Sequence, residues 1–257
     1  MSMRIIISPA KKMNQDTDSL AWTDLPAFLD ETSQLLSALR TMSCAELKTL
    51  WRCNDQIAEL NFQRIQDMDL TSGLTPAILA YEGIQYQYMA PDVFTYDEFD
   101  YIQQRLRILS GFYGMLRPFD GVRPYRLEMQ AKLAVNGHKD LYSFWGSSLA
   151  EALERETDII IDLASKEYSK AVSTHLSPST RLIGCVFAQQ AGDKLAEKGT
   201  LCKMARGEMV RFLAEQQVNR PEDLKSFDRL GFRFSSVHSQ EDKYVFIKES
   251  KRCLQQE

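Results

Sequence analysis

Two runs of three isoleucines, at residues 5–7 and 159–161, are the most strongly apolar stretches of this chain. They are of strand length and fall far short of the roughly 20 apolar residues that a membrane helix needs. Both runs therefore predict strands that are buried inside a sheet. Pro9 lacks a backbone donor and ends the first strand, which places Lys11 at the carboxyl end, where open α/β sheets commonly bind ligands.

Helical periodicity fills most of the chain between the strands. Between residues 25 and 68, apolar residues recur every three or four positions, which predicts three helices. Ser43 with Glu46 predicts a capping box at the start of the second helix, and Asn54 begins the third. Further helices are predicted at residues 97–105, 141–156 and 202–217, the last interrupted by Gly207, and strands at 158–162, 181–187, 232–234 and 244–247. This uneven alternation predicts a mixed α/β (α+β) fold, with a mixed sheet flanked by helices in a single compact domain over residues 1–257.

Charge is distributed unevenly in this chain, whose formal net charge is −4. Residues 1–12 carry +3, residues 13–100 carry −11, and residues 101–257 carry +4. The excess of acid is confined to one block, so a basic cleft on an acidic body is compatible with the composition. Because the N-terminus opens on a strand pattern rather than on a leader, we expect a cytoplasmic protein with no membrane partner.

The cysteines and histidines predict no disulfide framework and no metal site. The five cysteines are an odd number without a Cys-x-x-Cys pair, and the three histidines form no ligand spacing with them. Zinc and iron sites need clustered His, Cys or carboxylate ligands. Phosphate-binding Walker loops, dinucleotide-binding glycine motifs and serine-hydrolase motifs are also absent from the sequence. We therefore expect no cofactor and favour a binding protein over an enzyme.

Residues 105–126 hold five arginines against a single acid, Asp120. Within this segment, Gly111 and Gly114 frame a tight turn where backbone amides can approach a ligand closely. A Gly-x-x-Gly turn between ordered elements, with arginines on either side, predicts a phosphate clamp of the helix-hairpin-helix kind. The alternative is a plain connection whose arginines pair with carboxylates of the acidic block.

A second basic group, Lys203, Arg206 and Arg211, lies within about two turns of the last long helix. On its own, this group is typical of a solvated helix face. Together with Lys11 and residues 105–126 it predicts a second arm of one positive site, so we expect the basic groups to converge on one groove.

Six motifs follow one another along nearly the whole chain: Ser8-Pro9-Ala10-Lys11, Leu109-Ser-Gly111-x-Tyr113-Gly114-x-Leu-Arg117-Pro118, Pro124-Tyr125-Arg126-Leu-Glu128-Met129, Leu141-Tyr-x-Phe144-Trp145-Gly146, Leu163-Ala-Ser165-x-Glu167-Tyr168 and Ala205-Arg206-Gly207-x-Met209-x-Arg211. Together they resemble the YaaA family of bacterial peroxide stress proteins. The resemblance implies an intracellular protein that helps cells survive hydrogen peroxide and limits damage from unincorporated iron. It also implies a compact α/β body, a helix-hairpin-helix-like element and a positively charged cleft that binds duplex or distorted DNA.

The resemblance also implies which residues bind DNA. By motif position they are Lys11, Arg107, Gly111, Gly114, Arg117, Arg126, Lys203, Arg206 and Arg211. Arg126 is equally suited to an internal brace, since it stands two residues before Glu128. No enzymatic reaction is attached to the family, and we expect a monomer.

The alternative function is an enzyme or binder that holds a nucleotide-like or phosphorylated small molecule in the same cleft. Asp162, Ser165 and Glu167 follow a predicted strand and suit either acid–base chemistry or helix capping, and Ser8 and Lys11 would join them. An enclosed pocket with perturbed titratable groups favours the small ligand, whereas an open groove wide enough for a DNA double helix favours DNA.

Overall fold

Strands and helices alternate along the chain in a computed structural model that describes residues 3–191 and 194–248. The strands are β1 (Arg4–Ile7), β2 (Lys12–Met13), β3 (Thr75–Pro76), β4 (Tyr81–Glu82), β5 (Leu106–Ser110), β6 (Gly114–Leu116), β7 (Gly121–Val122), β8 (Ile159–Asp162), β9 (Arg181–Ala191), β10 (Lys194–Ala196), β11 (Phe232–Phe234) and β12 (Lys243–Lys248). The α-helices are α1 (Leu29–Arg40), α2 (Cys44–Trp51), α3 (Asp55–Gln66), α4 (Ala77–Ala80), α5 (Ile84–Met89), α6 (Tyr96–Arg105), α7 (Leu141–Trp145), α8 (Ser148–Glu154), α9 (Lys166–Ser173) and α10 (Gly199–Glu215). Short 3₁₀ turns lie at Pro91–Val93, Pro221–Ser226 and Arg229–Gly231.

A central mixed sheet of eight strands organises the molecule. Its order is β11-β12-β9-β8-β1-β5-β6, with β10 also paired to β9. The five inner strands, from β12 to β5, are parallel, whereas β11, β6 and β10 pair antiparallel with their neighbours. Helices flank this sheet, which confirms the predicted mixed α/β class. Two smaller sheets pair β2 with β4 and β3 with β7.

The chain changes direction across the sheet at β1. Strand β1 pairs with β5 on one side and with β8 on the other, and the later strands β9 and β12 continue outward beyond β8. The connections that leave the carboxyl ends of β1 and β8 therefore diverge and open a crevice between them. In parallel sheets such a switch point is the usual place for a ligand.

Local signals in the sequence account for most helix boundaries. The Ser43 hydroxyl accepts a hydrogen bond from the Glu46 amide, and the Glu46 carboxylate accepts one from the Ser43 amide, so the predicted capping box begins α2. The Asn54 side chain accepts from the Ile57 amide at 2.9 Å and begins α3 as predicted. The predicted helix at residues 97–105 and the four later strands are also confirmed.

Two glycines behave differently from the prediction. The single helix expected at residues 141–156 is two helices, α7 and α8, because Gly146 adopts a positive φ of 47° that ends α7. Gly207, expected to interrupt its helix, instead lies inside an unbroken α10. A Cβ on Gly207 would stand 2.1 Å from the carbonyl oxygen of Gln85, so the missing side chain lets α10 pack against the backbone of α5.

The segment from Gly111 to Gly114 joins two strands and not two helices. Residues 110 and 114 are paired in the antiparallel β5–β6 hairpin. A Cβ on Gly111 would lie 2.5 Å from the Leu127 carbonyl oxygen, and Gly114 has a φ of 72° and packs against the Trp145 ring, which a Cβ there would approach to 2.8 Å. The helix-hairpin-helix prediction for this segment is therefore wrong, because the close approach that these glycines permit is to the protein's own chain.

One contiguous hydrophobic core packs against the sheet and includes Trp51 and Trp145, each 1% exposed. The four described cysteines are free, and burial raises the pKa of the Cys185 thiol well above its ordinary value. The fifth cysteine, Cys253, lies outside the described residues. None of the helices within residues 3–191 and 194–248 is both long and apolar enough to cross a membrane.

Candidate anion-binding site

A cavity of about 520 Å³ opens at the carboxyl ends of β1 and β8, in the crevice where the chain changes direction. We call it the switch-point cavity. Five segments line it, namely residues 8–12 after β1, residues 82–86 of β4 and α5, residues 125–128, the first turn of α9, and one face of α10. Its position follows directly from the strand order.

Hydrogen bonds close the floor of the cavity. The Ser8 hydroxyl, just beyond β1, accepts from the backbone amide of Ser165 at 2.8 Å and lies 3.2 Å from the Ser165 hydroxyl. The Tyr86 hydroxyl donates to the Ser8 carbonyl at 3.1 Å. Ser165 is the residue that begins α9, and its own side chain makes no capping hydrogen bond. The start of α9 is thus fixed against the end of β1, with two hydroxyl groups at the cavity.

Carboxylates hold three of the cations that line the cavity. Lys11 Nζ lies 3.0 Å from Glu128 Oε1, and an Arg126 nitrogen lies 3.3 Å from the same oxygen. Lys12 Nζ lies 2.7 Å from Glu82 Oε1. The Lys11 and Lys12 side chains remain 64% and 71% exposed, and exposed pairs of this kind contribute little stability. The lysines can therefore exchange their carboxylate partners for a bound anion at small cost.

Helix α10 contributes the other two cations, Lys203 and Arg206. They stand three residues apart, so both lie on the same face of the helix, and both line the cavity. Neither forms an ion pair with another of the described residues. Lys203 is exposed, whereas Arg206 is half-buried near the end of β8, where burial raises the pKa of Asp162 and the Arg206 charge opposes that shift.

Three buried nitrogen atoms around the cavity have no hydrogen-bond partner among the described residues. They are Gln85 Nε2, Arg126 Nε and Arg206 Nε. Gln85 is only 7% exposed, so its amide is shielded from solvent. Buried polar atoms in folded proteins are nearly always satisfied, so three unsatisfied donors around one cavity mark it as a candidate ligand site.

Two carboxyl groups at the carboxyl end of β8 are perturbed by burial. Burial raises the pKa of Glu167, and the nearby Glu128 carboxylate raises it further, while the Gln130 amide, which donates to Glu167 at 3.2 Å, opposes the shift. Burial also raises the pKa of Asp162. Asp162 accepts from the Ala164 amide at 2.8 Å and from the Ser169 hydroxyl, so it braces the turn into α9, while Glu167 lines the cavity.

The structure brings together four of the cations expected at the site: Lys11, Arg126, Lys203 and Arg206. Arg107 and Arg117 line a different cavity, of about 390 Å³. The Arg107 side chain is 4% exposed and donates to Glu156 Oε2 at 2.6 Å and to carbonyl oxygens at the end of α6. Arg107 is therefore a structural brace, although its partner Glu156 lies outside the acidic block of residues 13–100 that the alternative interpretation named.

The remaining predicted site residues also lie elsewhere. Arg211 pairs with Glu215 at 2.7 Å, one turn further along α10, and does not line the switch-point cavity. Gly111 and Gly114 are buried in the β5–β6 turn. The predicted convergence therefore holds for one residue of the arginine-rich segment, Arg126, together with Lys11 and two residues of α10.

Sequence reasoning missed Gln85. A lone glutamine carries no motif, and only the packing of α5 against α10 places it at the cavity.

Comparison with known proteins identifies the family. The family model described as "Peroxide stress protein YaaA" matches residues 3–238, which is most of the chain. The chain belongs to the YaaA family of peroxide stress proteins. The resemblance that the six motifs carry is thereby confirmed.

Relatives of similar length support this assignment. A protein of Agathobacter rectalis is 54% identical over 244 residues, covering 95% of this chain and 98% of the relative. Proteins of Lactiplantibacillus plantarum and Pediococcus pentosaceus are 52% and 50% identical, covering 95% and 96% of this chain and 99% and 98% of their own lengths. All three carry the name UPF0246 protein.

Within the described residues, no group of three or more His, Cys, Asp or Glu side chains is placed to hold a metal ion.

Proposed function

We propose that this peroxide stress protein binds DNA, with the phosphate backbone resting on the cations at the mouth of the switch-point cavity. One observation carries the proposal. Three basic segments that are far apart in sequence deliver Lys11 and Lys12, Arg126, and Lys203 and Arg206 to the same opening. Phosphate contacts of this kind supply most of the affinity of proteins that bind DNA regardless of sequence.

The charge around the opening supports the proposal. Five cations line the cavity against the three carboxylates Glu82, Glu128 and Glu167, on a protein whose overall charge is −4. A local positive potential on an acidic body attracts polyanions to that face and repels them from the rest. Lys203 is the cation most available to a phosphate, because it is exposed and unpaired among the described residues.

The salt dependence of binding tests the proposal. Each phosphate that is neutralised releases counterions, with a slope of about −0.9 in log K against log salt for each contact. A cleft that uses about four of these cations should therefore give a slope of roughly −3.6, measured by fluorescence anisotropy on a short duplex between about 50 and 300 mM NaCl. Absent or salt-insensitive binding would contradict the proposal.

Charge reversal separates the cleft from other arginines. Lys203→Glu combined with Arg206→Glu should weaken duplex binding by at least about 30-fold, because it replaces two attractions by two repulsions. Arg117→Glu is the control: it reverses one exposed cation at the second cavity. We expect Arg117→Glu to change affinity by less than about threefold and both variants to melt like the parent protein. An equal loss in the control would place the interface elsewhere.

A further inference from the structure

The switch-point cavity has the size of a small-ligand site. Its volume of about 520 Å³ lies within the roughly 300–1,000 Å³ that is typical of such sites. A base-paired duplex resting on the rim cations cannot enter a cavity of this size. The DNA-binding proposal therefore explains the rim cations and leaves the cavity itself, with its unsatisfied donors, without an occupant.

Three tyrosines, Tyr86, Tyr125 and Tyr168, give the cavity aromatic walls. The Tyr86 hydroxyl donates to the Ser8 carbonyl, and the Tyr125 hydroxyl lies 2.6 Å from the Ser110 hydroxyl. Both rings are buried and held by these bonds, so what they offer to the cavity is ring carbon. Ring carbon at the cavity wall is an apolar surface against which a nucleobase can pack, whichever base it is.

Gln85 adds a directed polar group beside these walls. Its side chain is buried, it lines the cavity, and its Nε2 has no partner among the described residues. A glutamine carboxamide carries a donor and an acceptor side by side, which is the pattern that pairs with the edge of a nucleobase.

The same cavity has groups that suit a phosphate. Arg206 and Arg126 line it with unsatisfied Nε atoms, and Lys203 stands one turn before Arg206 on α10. The hydroxyl groups of Ser8 and Ser165 lie at the start of α9, whose amino end favours an anion. An aromatic wall, a carboxamide and an arginine-rich anion site within one small cavity match a phosphorylated nucleoside better than an inorganic anion.

We propose that the switch-point cavity binds one nucleotide unit, either as a free nucleotide or as a single unpaired nucleotide of a DNA strand. The inference rests on the proposed function only where the nucleotide comes from a DNA strand, because a free nucleotide could bind here even if duplex DNA does not. The two sources present the same base and phosphate and are separated by experiment.

Calorimetric titration of the full chain tests the site itself. The ligands are the four nucleoside 5′-monophosphates and their deoxy forms, with the nucleosides and inorganic phosphate as the two halves of the ligand. We expect at least one nucleotide to bind tenfold or more tightly than either half. Nucleotides that bind no more tightly than inorganic phosphate would exclude a free nucleotide, and the inference would then stand or fall with the bulged DNA described below.

Variants connect that binding to the cavity. Gln85→Leu, which conserves volume, should weaken nucleotide binding at least fivefold and leave the affinity for phosphate unchanged. Lys203→Ala should weaken both, and it alters an exposed side chain that the fold does not need. Lys139→Ala removes an exposed lysine outside the cavity and should change neither. If Gln85→Leu melts early, Lys203→Ala decides, and unchanged nucleotide binding in Lys203→Ala overturns the inference.

DNA with one bulged nucleotide distinguishes the sources. If the cavity takes the nucleotide from a strand, the bulged duplex should bind at least fivefold more tightly than the paired duplex at equal salt, and Gln85→Leu should abolish that preference. Equal binding of the two duplexes, with tight free-nucleotide binding, assigns the cavity to a free nucleotide. Failure of both the free nucleotide and the bulge overturns the inference, whereas loss of paired-duplex binding alone contradicts only the proposed function.

Discussion

Asp120 shows how the surroundings of one residue decide its chemistry. Its side chain is 3% exposed and accepts from the Arg117 backbone amide at 2.8 Å. Burial raises its pKa to about 6, although that hydrogen bond opposes the shift. In the unfolded chain the pKa of an aspartate is about 3.9. The fold therefore favours the protonated form, and the stabilising contribution of that form is complete below about pH 4 and lost as the pH rises through about 6.

We predict that Asp120→Asn removes this pH dependence. Asparagine keeps an oxygen acceptor for the Arg117 amide but carries no charge to bury. The free energy of unfolding of the variant minus that of the parent should rise by about 2 to 3 kcal/mol between about pH 4 and pH 7. Urea unfolding at several pH values measures this difference. The pH-dependent contributions of the other carboxylates are the same in both proteins and cancel. A difference that stays constant with pH would contradict the assignment.

Residue identity predicted chemistry better than it predicted location. Lys11 lies at the cavity as expected, because the end of a buried parallel strand fixes where it emerges. Arg126 was the arginine singled out in sequence as a possible internal brace, and it does pair with Glu128 while lining the cavity. Arg107 was expected in the groove, yet it lies on β5 and is held by Glu156, a partner 49 residues away. Such a pairing depends on tertiary packing, and neither periodicity nor charge counts predict which distant residues come into contact.

At the scale of elements, the contact of α5 with α10 depends on Gly207. The close approach of the two helices leaves no room for a methyl group, since its carbon would stand 2.1 Å from the Gln85 carbonyl oxygen and 2.9 Å from the Met89 nitrogen. Backbone atoms of a helix cannot move aside as the end of a side chain can. The higher helix propensity of alanine, up to about 1 kcal/mol, is therefore outweighed by overpacking.

We predict that Gly207→Ala destabilises the protein by about 2 kcal/mol, lowering the melting temperature by roughly 4 to 8 °C. Gly199→Ala is the matched control, because Gly199 is in the same helix and a Cβ added to it would meet no neighbouring atom within 4 Å. The control should be neutral or slightly stabilising. Circular dichroism measures the melting temperatures. Equal values for the two variants would contradict the packing argument.

Helix starts were predictable where a local hydrogen bond sets them, as at Ser43 and Asn54. Helix interruptions were not, because glycine serves two opposite purposes here. Gly146 ends α7 through a positive φ, whereas Gly207 keeps helical geometry and serves a neighbouring helix. The residue type is the same in both places, and only the surrounding packing distinguishes them.

At the scale of the whole molecule, the interleaved strand order makes the sheet a single cooperative structure. Strand β1 needs β5 on one side and β8 on the other, so neither half of the chain completes the sheet alone. We predict one unfolding transition, with coincident midpoints for far-ultraviolet circular dichroism and for fluorescence of the buried Trp51 and Trp145. Separate midpoints in urea would show that the sheet divides into independent units.

The same strand order determines how long a strand of the growing polypeptide remains without its partner. Strand β1 leaves the ribosome well before its partner β8, which is made roughly 150 residues later. At about 5 to 20 residues per second, one unpaired edge of the nascent β1 waits about 8 to 30 s for that partner. A strand that contains three consecutive isoleucines is a segment that chaperones would need to shield during this interval.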